Sequence, residues 1–401
     1  MPLPAKPAGR VRDRAGVAFL CLWTMGMNSS VAVALSPALP RLAAELGRGE
    51  GADNAAFIAQ LIQTLPAVAM IVAAALVGYV SERIGRRGVM LGSTVLFTLA
   101  GAVGLMAPDL MVLAGARFVQ GLASGAMVTT AYAVVAEYFD EERRDRMLGY
   151  CAAYGAFSTI IVLGLAGPLV DALGWRSVFA IYLGASLSLP FILTRMHGER
   201  PRRSESQPLS WKPILALWPL WCLQIVFTIG MYMSVIQVPF VAAGKGIFSG
   251  ATISLLIATT SIMATLASVV NARLRRRVGF WGVFAVVALA YGLGLLICVN
   301  AQGLPTFLLG AAVLGIGAGS VEPTLIARAL QDTPQALHDR AAGAAMGTNF
   351  AGQFLNPVVV RPFLAFGGIN GALTGFGYGY VAAGLAIALM VIVMRPVAAR
   401  G

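Results

Sequence analysis

The sequence predicts an all-α membrane protein of twelve transmembrane helices, arranged as two pseudo-symmetric six-helix bundles. Three observations carry that expectation. The chain of 401 residues is 58% hydrophobic and only 11% charged, against roughly 45–50% and about 25% in a soluble domain. Its apolar residues gather into runs long enough to cross the hydrocarbon core, which takes about 20 residues of helix. The second half also repeats the first at a constant shift of 194 residues.

Taken in order, the runs are 16–38, 55–80, 88–106, 109–135, 147–170, 176–195, 214–242, 251–272, 280–299, 305–329, 342–364 and 374–394. They lack the period-two alternation of barrel strands, so helices are expected. The first run follows a polar start and has no small-residue cleavage pattern after it. It reads as a retained helix rather than a signal peptide. Cys21, Cys151, Cys222 and Cys298 fall singly within runs, which suits buried small hydrophobes better than disulfides or a zinc site.

A formal net charge of +12 would suit nucleic acid, but its distribution points elsewhere. With the N-terminus placed inside, 23 of the 29 Lys and Arg residues fall in inner loops, and only Arg41, Arg48, Arg176 and Lys245 in outer ones. That is the positive-inside pattern, and it predicts both termini in the cytoplasm and an integral protein of the plasma (inner) membrane. Membrane lipid is the expected partner of the basic rim, and nucleic acid is not a partner.

One long polar stretch, HGERPRRSESQPLSWKP at 197–213, separates six runs from six. It reads as a cytoplasmic linker between an N-terminal bundle, 1–196, and a C-terminal bundle, 214–401. At the shift of 194, Asp145-Arg146 falls on Asp339-Arg340, and Gly149 on Gly343. Gly121 and Gly125 fall on Gly315 and Gly319, Gly85 on Gly279, and Gly174 on Gly368. A tandem duplication with an even number of crossings gives two copies of one orientation. Such bundles can rock about a midplane site and open it to each side in turn.

The segment GYVSERIGRR (78–87) packs four charges into ten residues between the second and third runs. It resembles the loop signature of the major facilitator superfamily, with Gly78, Glu82, Arg83, Gly85, Arg86 and Arg87 matching and Glu82 standing for the usual Asp. RFVQG (117–121), GWRSVF (174–179) and ALPRLAAELG (38–47) are similar to further motifs of that family. The resemblance implies the superfamily's fold over essentially the whole chain. It also implies a gating role for the loop, in which the acidic residue stabilises the outward-facing state. Physically, Gly78 is expected to allow tight packing and Gly85 a sharp turn. Glu82 is placed to accept charge-assisted hydrogen bonds, and the three arginines to meet headgroups. The second copy, ARLRRRVG (272–279), has Ala272 for the first Gly and Arg276 for the acid, so its gate is expected to differ.

Charges inside the runs are few, and each costs several kcal/mol unless paired or hydrated. Arg117 resembles the family's fourth-span arginine, often linked to proton coupling; a clamp on neighbouring carbonyls is the alternative. Glu322 falls on Val128 in the first copy, so a purely architectural role is not required of it. It is the candidate for reversible protonation, with a structural ion pair as the alternative. For the substrate cavity the candidates are Asn28, Gln60, Gln63, Tyr150, Tyr154, Gln224, Tyr232, Asn349, Gln353 and Asn356. The last three, at i, i+4 and i+7, share one helix face. Arg361 is expected to snorkel outward.

These features predict a secondary active transporter of a small organic solute, working by alternating access as a monomer. Proton-coupled efflux is the leading expectation; an uptake symporter or facilitator, or a receptor without flux, are the alternatives. One departure from the resemblance weighs against antiport: drug–proton antiporters of the family carry Gly-Pro in mid-span five, where this chain has Val162-Leu163. An enzyme is not expected, since both histidines, His197 and His338, lie in loops and no GxxxxGK[ST] loop occurs. No cofactor and no metal is called for.

Overall fold

The computed structural model describes residues 14–46, 51–196, 212–247 and 249–398. Most of the expected linker, residues 197–211, lies outside the described residues, as do Lys6, Arg10, Arg12 and Arg48. The helices are α1 Arg14–Val33, α2 Leu39–Leu46, α3 Ala52–Met106, α4 Leu110–Tyr138, α5 Glu141–Leu173, α6 Phe179–Leu183 and α7 Leu189–Arg195. After the linker come α8 Lys212–Ala216, α9 Trp218–Ile236, α10 Val238–Gly244, α11 Gly250–Asn300, α12 Leu304–Gln331, α13 His338–Val360 and α14 Gly368–Ala398. Among the described residues there is no strand.

Prolines divide several of the expected runs, because each removes a helical N–H and crowds the preceding turn. Run 16–38 stops at Val33, and Ser36–Ala38 form a 3-10 turn around Pro37. Run 214–242 breaks at Leu217 and Gln237, ahead of Pro219 and Pro239. Run 342–364 ends at Val360, where Arg361–Phe366 continue as 3-10 helix.

Nine stretches among the described residues are long and apolar enough to cross a membrane. Length and hydropathy therefore do not by themselves give twelve. Two of the nine are double: α3 has 55 residues and α11 has 51, each bent at one glycine. Gly85 (φ 77°, ψ 160°) and Gly279 (φ 76°, ψ 178°) occupy a region open to glycine alone, and they are 194 residues apart. The helix α13, which carries the amides of the eleventh run, is not among the nine.

The same shift governs packing. A Cβ built on Gly121 would meet Pro66 and Ala69; one built on Gly315 would meet Thr260 and Met263. Gly125 lies against Met70, and Gly319 against Ala264. Each of these partners is displaced by 194, as the glycines are. Bare glycines let α4 lie against α3, and α12 against α11, at backbone contact.

The chain forms two compact units. One runs up to Leu35 and resumes at Ile62 as far as the linker; the other comprises Ser36–Leu61 and everything after the linker. In the first, α1 packs on α4 and α5, and Tyr182 meets Phe97 and Phe179 edge-on. In the second, α11 packs on α12 and α14, and α9 on α12 and α13, around a core that includes Phe227, Phe284, Tyr291 and Phe307. All four cysteines are free. Cys222 is exposed, contrary to the expectation of burial, while the other three are buried.

Candidate functional site

In the first unit the polar centre is Arg117, fully buried on α4. Its Nε donates to Ile62 O at 3.3 Å, Nη2 to Val31 O at 3.0 Å and Gln63 O at 3.2 Å, and Nη1 to Gln120 Oε1 at 2.7 Å and Tyr182 OH at 3.2 Å. The local sequence explains the acceptors. Pro66 has no N–H to offer Ile62 O four residues back, and Val31 lies in the last turn of α1, where carbonyls lack helical partners. The guanidinium thus joins α1, α3 and α4, which is the carbonyl-clamp geometry. In the second copy the positions of Pro66 and Arg117 are Thr260 and Ala311, and the contact is Thr260 Oγ1 donating to Ala311 O at 3.1 Å.

The other first-unit candidates surround that centre without converging on one point. Asn28 Oδ1 accepts from Ser124 Oγ at 2.9 Å, and Gln63 Nε2 donates to Ala32 O at 2.5 Å. Tyr154 lies over Gly26 of α1, and Tyr150 is exposed.

The second unit gathers more of the predicted residues. Asn356 on α13 donates to Ile229 O of α9 at 2.8 Å and accepts from Gln237 Nε2 at 2.8 Å. Gln237 in turn exchanges amide hydrogen bonds with Gln60 at 3.0 and 3.2 Å. All three side chains are buried. Gln237, a single amide in an apolar run, had the signal of a polar group at membrane depth but sits off the helical stripes, and sequence reasoning missed it. Gln224 donates to Ala345 O at 2.8 Å, while its Oε1 has no partner among the described residues.

The rest of the amide stripe behaves differently. Asn349 and Gln353 are buried, yet neither makes a hydrogen bond to any described residue. Glu322, half-buried on α12, likewise makes no hydrogen bond or ion pair with any described residue, and it interacts electrostatically with Tyr232 of α9. Beside it, Thr324 exchanges hydrogen bonds with Asn271 of α11 at 3.1 and 3.2 Å. The structure therefore brings Glu322 and Tyr232 together, with α9, α12 and α13 packed on one another. A cavity of about 400 Å³ lined by Lys245, Ser249, Thr252, Gln302 and Phe307 contains none of the predicted residues.

The 78–87 segment departs from its expectation in three ways. Gly78 is exposed and a Cβ there would meet nothing within 4 Å, so no tight packing requires it. Glu82 is exposed and accepts no hydrogen bond from any described residue. Arg86 and Arg87 bind protein rather than facing outward: Arg86 reaches Glu137 Oε2 at 2.5 Å and Ala133 O at 2.8 Å, and Arg87 reaches Leu193 O at 2.7 Å. Arg83 stacks on Tyr79 and bonds its hydroxyl. The acid engaged with this cationic cluster is Glu137, which the sequence motif does not include. Arg361 does not simply snorkel either; it lies 4.1 Å over the Phe57 ring and donates to Asn54 Oδ1 at 3.4 Å.

Comparison with known proteins decides the family. The model of the Major Facilitator Superfamily matches residues 18–357. The chain belongs to the major facilitator superfamily. Relatives that it matches are named as MFS-type transporters. As a superfamily member it is similar to a multidrug resistance protein B homologue of Mycobacterium tuberculosis, 26% identical over 226 residues, covering 54% of this chain and 41% of the relative. It is also similar to a gentisate transporter of Corynebacterium glutamicum, 21% identical over 341 residues, covering 80% and 76%. Against the M. tuberculosis relatives the chain spans less than half of their length, 21% of an uncharacterised MFS-type transporter and 41% of the multidrug resistance homologue. The superfamily fold is also that of the crystal structure of a D-xylose–proton symporter, with TM-score 0.71 at 16% identity, covering 94% of this chain and 97% of the other.

Proposed function

We propose that the protein is a secondary active transporter that exports a small organic solute by alternating access, coupled to protons and acting as a monomer. In this reading it makes twelve crossings of the plasma membrane, counting each half of α3 and α11 and adding α13, as two six-helix bundles, 1–196 and 214–401. Both termini are cytoplasmic. The observation that carries the coupling is Glu322: a carboxylate within α12, without hydrogen bond or ion pair to any described residue and absent from the first repeat, where Val128 stands. Arg117 is then a structural clamp rather than a proton carrier, because its donors already serve five acceptors. The amides Asn349 and Gln353, with Tyr232, belong to the solute site. The relatives named for multidrug resistance support export.

Uptake is the second reading. It is favoured by Val162-Leu163 at the mid-helix position where drug–proton antiporters carry Gly-Pro, and by the gentisate transporter that matches most of the chain. Sealed vesicles of the purified full chain distinguish the two. A metabolite library is scored for flux with an imposed pH gradient of either sign. Export by antiport requires accumulation against an opposing proton flux, and symport requires accumulation with it. Flux indifferent to the gradient would remove proton coupling.

A further inference from the structure

Beyond export of an unspecified solute, the charge balance of the second unit selects a substrate class. Among the described residues, and apart from the charges clustered at the Gly85 and Gly279 bends, Arg117 and Glu322 are the charged side chains of the long helices that lie about two turns or more from a helix end. The guanidinium is fully buried and saturated by Val31, Ile62, Gln63, Gln120 and Tyr182. It has no donor left for an anion. Arg328, the next cation along α12, bonds Asp332 Oδ2 at 2.7 Å and lies over the Phe280 ring. Arg361 is held by Phe57 and Asn54. Glu322, within its helix, has neither hydrogen bond nor ion pair with any described residue.

Its surroundings extend the case. Tyr232, within electrostatic reach of the carboxylate, makes no hydrogen bond to any described residue and offers an aromatic face, which attracts ammonium groups. Asn349 and Gln353 are 9% and 4% exposed and unpartnered by described residues. Their amide atoms are not sealed within protein, unlike Gln224 Oε1, so they face open space where a guest can take the place of water. Their stripe turns toward α9, because Asn356 on the same face bonds Ile229 O. Amide oxygens and a carboxylate accept hydrogen bonds, and an anion would meet a negative charge that no cation among the described residues is bonded to.

We infer that the solute is an organic cation, an amine or quaternary ammonium on an apolar body, with Glu322 as its charge partner and Tyr232, Asn349 and Gln353 completing the site. This rests on the transport reading above, in which the same carboxylate is free for the solute once its proton has left. A carboxylate such as gentisate is excluded as substrate, although a relative is named for it.

The test is binding by the purified full chain to two ions of matched size and opposite charge, tetraphenylphosphonium and tetraphenylborate. Saturable binding of the cation, with the anion at least tenfold weaker, is expected. Glu322→Gln is expected to lose tenfold or more in cation affinity at an unchanged melting temperature, and Glu322→Asp less than threefold. Should Glu322→Gln not fold, Asn349→Leu is the second variant, expected to weaken the cation severalfold without altering the preference for positive charge. Equal affinity for both ions, saturable binding of the anion alone, or no saturable cation binding overturns the inference. So does wild-type affinity in a folded Glu322→Gln or Asn349→Leu protein. Saturable binding without protein-dependent flux would overturn the transport reading and leave the cation site standing. Gradient-driven flux of gentisate would do the reverse.

Discussion

Pro66 withdraws a hydrogen-bond donor from Ile62 O, and Arg117 supplies the replacement at 3.3 Å from a neighbouring helix. The pair is reciprocal in its consequences. A proline inside α3 is tolerated because a guanidinium is at hand, and a buried guanidinium is tolerated because carbonyls await it. Arg117→Leu should therefore leave three backbone carbonyls without their donor, each at a cost of about 1–3 kcal/mol. Arg117→Lys should recover part of the loss, since an ammonium has three donors but no planar fork. Thermal unfolding of the two variants should rank wild type above Lys above Leu. Equal melting temperatures would remove the clamp. Adding Pro66→Ala to Arg117→Leu should recover part of the stability, because the new N–H can bond Ile62 O while Val31 O still lacks the guanidinium.

Contacts of the repeated glycines can be tested by sign. Gly319 abuts the Ala264 backbone, whereas a Cβ on Gly343 would meet nothing within 4 Å. Gly319→Ala should force α11 and α12 apart at a cost of about 1–3 kcal/mol. Gly343→Ala, in the helix α13, should be neutral or stabilising by up to about 1 kcal/mol, the usual helical preference of Ala over Gly. Opposite shifts in melting temperature are expected, and shifts of one sign in both would refute the packing argument.

Much of this architecture was legible because duplication writes itself into sequence twice. Gly85 and Gly279, Gly121 and Gly315, and Gly125 and Gly319 could be aligned before any coordinates, and their neighbours follow the same shift of 194. The crossing count was less legible, since two runs join across a single non-helical glycine, Gly85 or Gly279, with no loop between them. Individual site residues were legible only by type. An amide at membrane depth announces that it needs a partner, but pattern alone cannot say whether Gln237 finds it in protein, as it does, or whether Asn349 waits for one. Motif reading also sent Arg86 to the headgroups, whereas its bond goes to Glu137, 51 residues away, a distance no local motif spans.

The amide chain makes a separate prediction. Gln60, Gln237 and Asn356 form one buried network in which each deletion strands a neighbour. Gln60→Leu and Gln237→Leu should each destabilise the protein. In a double-mutant cycle their coupling should fall within about 0.5–3 kcal/mol. Gln60 and Gln353, which share no bond, should be additive. Thermal or denaturant unfolding of the four proteins in each cycle checks both statements.

Orientation follows from the distribution of basic residues. A single cysteine at Ser204 should react with an impermeant thiol reagent only from the cytoplasmic side, and one at Gly246 only from the opposite side. The background should carry Cys222→Ser, since that thiol is exposed. Labelling in the reverse pattern would invert the topology and, with it, the direction of transport.

The coupling residue gives the most discriminating experiment. Glu322 interacts with Tyr232 and has no hydrogen bond or ion pair with any described residue. Its helix is free of other charge as far as Arg328, which already serves Asp332. If Glu322 carries the proton, Glu322→Gln fixes the protonated form and should abolish accumulation driven by a pH gradient. Downhill exchange of a neutral competitor should survive, and expression should stay near wild type, because no buried cation loses its partner. A structural ion pair predicts the opposite, since stranding its arginine would cost about 3–5 kcal/mol and lower the melting temperature sharply. Measuring melting temperature, downhill exchange and gradient-driven transport on one purified variant separates these cases. Gradient-driven transport at the wild-type rate would take Glu322 out of the mechanism, whatever the variant's stability.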